Sequence, residues 1–400
     1  MTSLTTPSPT GAEAEIRRRI AADGPMTFAD FMALALYGPD GFYTSRSPFG
    51  AGGDFYTAPL THPAFGALIA GQAREYWRAT GSSERWWVVE AGAGGGQLAM
   101  DVGAAATGPF RRALRYLAVD LSGPPASSAS WVRADGLPVR GLHGMVLANE
   151  LLDALPVHRV TLDQGALREI RVGVDDEGRF ADVRCEPTVG VAERLDALGV
   201  RLGEGHRAEV CLAIDDWFMH AGRALKAGYL LLIDYGHDAG AYYDASRSRG
   251  TLRTYHQHVL GMDPYANVGR QDISVHVEWT SVRQAAIGAG FTPAGSTTQA
   301  AFLRALGFEA LREEIEARRD IPAPVRVANL RALHTLVATK GMGGFNVVAF
   351  AKGIAGRDLG GFGAGTVAFD GSAPLATAAH MPFARVSALV DLPTWDELSR

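Results

Sequence analysis

Two stretches of the sequence hold residue types that can do chemistry. The first is WVVEAGAGGGQLAMD, Trp87 to Asp101. A short apolar segment ends in the acid Glu90, and glycines follow at 92, 94, 95 and 96. Glycines let the backbone turn sharply and let a ligand approach with no Cβ in its way. The G-x-G-x-x-G fingerprint is not met, because Gln97 stands where its last glycine belongs. The spacing is instead E-x-G-x-G-x-G. Asp120 closes the next apolar segment, where a carboxylate can accept both hydroxyls of a ribose. A ligand-free turn, and a turn for NAD(P) or FAD, are the competing readings.

The second stretch is LANELLDALPVHR, Leu147 to Arg159. It follows the apolar segment Leu142–Ala148. In open α/β sheets ligands sit beyond the carboxyl ends of strands, which places Asn149 and Glu150 at a site. Glu150 and Asp153 are three apart and share a face of a helical turn. A pair of carboxylates can hold a cation, and a guanidinium suits it. With a pKa above about 12 it arrives protonated, and carboxylates grip it bidentately. They can also draw charge from an attacking nitrogen and take up its proton. The alternative is capping, with Asn149 as N-cap and Asp153 in the first turn.

Other candidates are less specific. Asp234 ends an apolar run and either faces the site or stabilises the strand end. Tyr56, with Phe55 and Tyr43, can pack around a methyl group or a guanidinium, or simply fill the core. His276, near Trp279, can line an acceptor pocket. His256, His258, His276 and Asp272 lack metal-ligand spacing, so no metal is expected.

These residues need elements to position them. The spacing predicts two short helices between Ala12 and Leu36, broken at Asp23-Gly24-Pro25, with Thr27 capping the second. An ordered loop, Gly38 to Pro59, leads to a helix from Ala64 to Thr80. Strands at Trp86–Glu90, Arg115–Asp120, Leu142–Ala148 and Tyr229–Asp234 alternate with helical segments, which argues for a parallel sheet covered on both faces. Val157–Leu162 and Leu167–Val174 read as a hairpin through Asp163-Gln164-Gly165, and Phe345–Ala351 as a late strand. After Gly353 the chain is rich in Gly and Ala, with weak periodicity.

Composition narrows the function. Of 400 residues 47% are hydrophobic and 20% charged, and the net charge of −5 leaves no basic footprint for nucleic acid. The two cysteines, Cys185 and Cys211, are too few and too far apart for a disulfide framework or a zinc site. No run reaches the ~20 apolar residues of a membrane helix, and the first residues carry no apolar signal core. A cytoplasmic protein with no membrane or nucleic-acid partner is expected.

The glycine spacing resembles motif I of class I methyltransferases that use S-adenosylmethionine (SAM). From about Arg17 to Gly353 the chain resembles the MidA-type SAM-dependent methyltransferases, whose members include a mitochondrial complex I assembly factor that methylates protein arginine. YGPDGFYT, GGDFYTAP, Phe65-Gly66, EAGAGGG, ANELLDALPV, LLIDYG, GTLRTYHQH, GRQDISVHVEW, TQAAFL and GMGGFNVVAFAKG occur in the family's order. The resemblance implies a Rossmann-like α/β sheet with a helical N-terminal part and an inserted β-rich segment. The division expected is 1–80 helical, 81–156 and 209–353 the two halves of the methyltransferase domain, 157–208 the insertion, and 354–400 an extension.

It also implies SAM as methyl donor, with Gly92, Gly94 and Gly96 at the cofactor, where the residue reading adds Glu90, Asp120 and Asn149 as candidates. Glu150, Asp153 and Asp54 are the catalytic candidates, and Tyr56, Asp234 and His276 the substrate candidates. The expected acceptor is a guanidino nitrogen, of free arginine or a related small molecule first and of a protein arginine second. O-methylation and a SAM-binding assembly role are the remaining alternatives. Three departures mark the chain: Leu60 stands where the family has Glu, Asp120 is followed by the Pro/Ser loop SGPPASSAS, and the tail from Ala355 lies outside the pattern.

Overall fold

The computed structural model describes residues 9–45, 56–122, 130–354, 359–363 and 371–380. The chain divides into two compact units. One comprises residues 1–48, 154–214 and 237–281, and the other 49–153, 215–236 and 282–400.

The larger unit is built on a seven-stranded sheet. In chain order its strands are β1 (Trp86–Ala91), β2 (Leu114–Asp120), β3 (Ser130–Arg133), β4 (Leu142–Asn149), β5 (Leu225–Asp234), β6 (Thr292–Thr298) and β7 (Asn346–Lys352), and they lie in the order β6-β7-β5-β4-β1-β2-β3. Strands β1 to β5 run parallel, as the apolar runs of β1, β2, β4 and β5 predict, while β3, a short strand with exposed ends, is not among those expected. The late strand β7 instead pairs antiparallel with both β5 and β6. It reaches β5 within the sheet without a parallel crossover, a pairing that apolar alternation alone does not reveal. Winding starts in the middle, at β1, and turns outward in both directions. The crevice between β1 and β4 is therefore the topological switch point.

Tyr76 of the helix Ala64–Ala79 stacks on Tyr229 of β5, ring centroids 4.0 Å apart. Trp86, Leu147, Leu231, Phe302 and Val347 fill the same core, all fully buried.

The other unit contains an antiparallel sheet ordered Phe180–Cys185, Ala166–Val174, His158–Asp163 and Arg207–Val210. The expected hairpin is present, and its turn residues Gln164 and Gly165 both have left-handed backbone, φ 52° and 74°. The two N-terminal helices, Gly11–Asp23 and Phe28–Tyr37, belong to this unit. Thr27 caps the second through the Asp30 amide, and Met26 bridges to Val172.

Candidate active site

The glycine turn follows from hydrogen bonds on the flank of β1. Ala91 is level with Val119 of β2 on one side and Ala148 of β4 on the other. Beyond it the amides of Gly92 and Ala93 both donate to the Val119 carbonyl, at 2.9 and 3.1 Å. Gly92, Gly94 and Gly96 adopt φ of +70°, +53° and +75°, a region costly for any residue with a Cβ. A Cβ on Gly92 would stand 2.8 Å from Leu151 Cδ1, so the turn and the loop after β4 touch at this point. A Cβ on Gly95 would meet nothing within 4 Å, so the turn is open over that residue. Gly96 is the N-cap of the helix Gln97–Ala105 and offers no side chain to its first amides.

Two acids flank the turn. Asp120 accepts the Gly94 amide at 2.8 Å on one oxygen and the Ser122 amide and hydroxyl, each at 2.9 Å, on the other. A carboxylate offers about four lone-pair positions, so acceptor capacity remains. Glu90 is 3% exposed and accepts the Tyr116 hydroxyl at 2.8 Å. Burial pushes its carboxyl up to about 8, against the Tyr116 hydrogen bond, with Asp120 adding to the rise.

After β4 the chain makes a tight bend. Glu150 has φ 51°, uncommon and strained for a residue of its kind, and its amide donates to the Ile233 carbonyl at 2.8 Å. Its carboxylate accepts the Ala58 amide at 3.2 Å and the Asn149 side-chain amide at 3.1 Å. Burial, then the charge of Asp153, raises its pKa to about 8. No cation pairs with it among the described residues.

The amides of Leu151, Leu152 and Asp153 converge on Asp234 Oδ2 at 3.2, 2.9 and 3.3 Å, and the Tyr235 amide takes Oδ1 at 2.9 Å. Asp234, and not Asn149, thus accepts the amides of this turn, the part that the capping alternative gave to Asn149. Burial, Asp153 and Glu150 all push its carboxyl well above the usual carboxylate range. The Tyr235 hydroxyl donates to Asp153 Oδ2 at 2.5 Å. The Asn149 side-chain oxygen is buried and has no partner among the described residues.

The sheet therefore brings Glu90, Gly92, Gly94, Gly96, Asp120, Asn149, Glu150, Asp153 and Asp234 to the carboxyl ends of four adjacent strands. Tyr56 lies two residues before Ala58, whose amide holds Glu150. His276 belongs to the other unit, where its ring is 5.2 Å from that of His237; burial, then His237 and Arg253, push it down to about 3. Asp54 lies outside the described residues. Sequence reasoning missed Tyr116, Ser122 and Ala58. Tyr116 had one available signal: it lies on β2 level with Val88, two residues before Glu90.

A model of a family of S-adenosyl-L-methionine-dependent methyltransferases matches residues 68–297. A zebrafish (Danio rerio) relative named protein arginine methyltransferase NDUFAF7, mitochondrial, is 26% identical, over 81% of this chain and 83% of its own. The Drosophila melanogaster homologue of that protein is 28% identical, over 76% of each. A solved structure from Burkholderia thailandensis, described as a "likely methyl transferase" and bound to S-adenosyl-homocysteine, is 30% identical. It matches with a TM-score of 0.78 over 90% of this chain and 98% of its own.

Proposed function

Because the chain belongs to this family of SAM-dependent methyltransferases, we propose that its acceptor is the guanidino group of an arginine. Bound SAM supplies an electrophilic methyl on a sulfonium. The residues present fit such a ligand. The turn is open over Gly95, the uncapped amides after Gly96 suit a carboxylate, and Asp120 retains acceptor capacity for one ribose hydroxyl. Glu90 and the unpartnered Asn149 oxygen are acceptors that suit an ammonium group.

The observation that carries the acceptor is Glu150. It is a half-buried carboxylate at the end of β4, next to Leu151, which packs against the glycine turn, and desolvation, then the charge of Asp153, drive its pKa up. Two acids held this way are stabilised by a bound cation. A guanidinium pairs with Glu150 bidentately, draws its proton off, and presents a nitrogen at a fixed angle. The pair then draws charge from that nitrogen as it becomes bonded to carbon and receives the proton it sheds.

Of the two arginine acceptors left open by the sequence, we infer the protein-borne one. The support is the name carried by relatives aligned over about four fifths of this chain. Free arginine would need its own carboxylate recognised. The test offers SAM with free arginine, agmatine and arginine-containing peptides. Turnover of peptides alone supports the proposal. Efficient turnover of arginine but not of agmatine would move the acceptor to the free amino acid. Turnover of none, with a hydroxyl or carboxyl substrate methylated instead, would remove the guanidinium.

A further inference from the structure

The chain past Gly353 shows the least pattern in the sequence, yet residues 371–380 are tied to the cofactor-bearing helix by buried polar contacts. We propose that this segment positions the glycine turn, with His380 as the positioning residue.

His380, Asp101 and Gln97 are 3%, 9% and 8% exposed. The Thr377 amide lies 3.2 Å from His380 Nδ1, and the Thr377 hydroxyl 3.0 Å from it. An amide nitrogen can only donate, so Nδ1 holds the lone pair and Nε2 the proton. Nε2 donates to Asp101 Oδ2 at 3.1 Å and the Gln97 side chain donates to Asp101 Oδ1 at 2.9 Å, so two donor nitrogens 3.3 Å apart share the one carboxylate. Gln97 is the first residue of its helix, directly after Gly96. The line Thr377–His380–Asp101–Gln97 therefore ends at the turn.

Asp101 is also fixed from another side. The helix Ala64–Ala79 packs so closely at Gly66 that a Cβ there would stand 2.4 Å from Asp101 Cβ. The segment has independent anchors. The Ala376 amide donates to Asn329 Oδ1 at 2.8 Å, the same oxygen that accepts from His62 at 2.9 Å, and the Ala373 amide donates to Glu314 at 3.0 Å. Apolar side chains would suffice merely to cover the helix. A buried imidazole that must be hydrogen-bonded at both nitrogens instead specifies one arrangement. Ligand amides at a helix start work only if the helix is held in place.

The test uses the full-length protein and S-adenosylhomocysteine. His380→Ala raises its Kd, and the KM for SAM, about tenfold, with kcat within about twofold. His380→Gln, whose side-chain amide can still donate to Asp101, recovers most of the affinity. Unchanged Kd in His380→Ala beside a lowered melting temperature, or failure of His380→Gln to rescue, would make the segment a stabilising patch only and overturn the proposal. If His380→Ala does not fold, Thr377→Val at an exposed position decides by the same Kd. A rise of about threefold is expected, and an unchanged Kd contradicts the proposal.

Discussion

Glu150 concentrates the chemistry at the residue scale. Its carboxyl titrates near 8 because burial and Asp153 both oppose its charge. The anionic form is the one that grips a guanidinium. The expected kcat/KM therefore rises with pH and levels off above about 8, reporting the free enzyme. Glu150→Gln keeps the shape and loses the charge. Removing one partner of a buried charged contact costs ~2–5 kcal/mol, or about thirtyfold or more in kcat/KM, while the Kd for SAM stays put. The rise with pH should disappear in the same variant. Steady-state kinetics from pH 6 to 9 checks both, and a mutant that keeps wild-type turnover would leave Glu150 a loop-building residue.

At the scale of elements, the site is two turns joined by contact. The glycine turn after β1 and the bend after β4 meet at Gly92 and Leu151, and Asp234 staples the bend to β5. Gly94→Asp puts a side chain and a negative charge beside Asp120 at a φ of +53°, so binding of S-adenosylhomocysteine should vanish in calorimetry. Retained binding would place the cofactor elsewhere. Asp234→Asn keeps one acceptor oxygen for the three amides but puts an amide group where the second oxygen accepts the Tyr235 N–H. It should lower both kcat and thermal stability. Much of this was legible in the sequence. The glycines, the acids at strand ends, the Thr27 cap and the hairpin at Gln164-Gly165 are local features, written where they act. The role of Asp234 was not legible, since its partners lie about 80 residues away. Nor was the antiparallel entry of β7, or the docking of His380 on Asp101. Such polar pairings leave no periodicity behind.

For the molecule as a whole, carboxyls whose charge the fold opposes, Glu90 and Glu150 with Asp234 beside them, set a dependence of stability on pH. Glu90 and Glu150 titrate near 8 in the fold and near 4.5 when exposed. Between those values the folded chain keeps protons that the unfolded chain has released. Their contribution is full below about 4.5 and is lost as pH rises through about 8. The ligand-free protein should thus melt at a lower temperature at pH 8 than at pH 6, and the double variant Glu90→Gln, Glu150→Gln should lose much of that difference. Equal slopes in scanning calorimetry would show that the two acids do not govern it.

Methyl transfer from SAM to an arginine nitrogen, at the ends of β1 and β4, is the reaction we propose. The most direct measurement uses SAM with a trideuterated methyl group, followed by tandem mass spectrometry of arginine-containing acceptors. Label on a guanidino nitrogen, formed by the wild-type chain and about thirtyfold or more slower with Glu150→Gln, is the predicted result. Label only on oxygen, or equal labelling of arginine by both proteins, would contradict it.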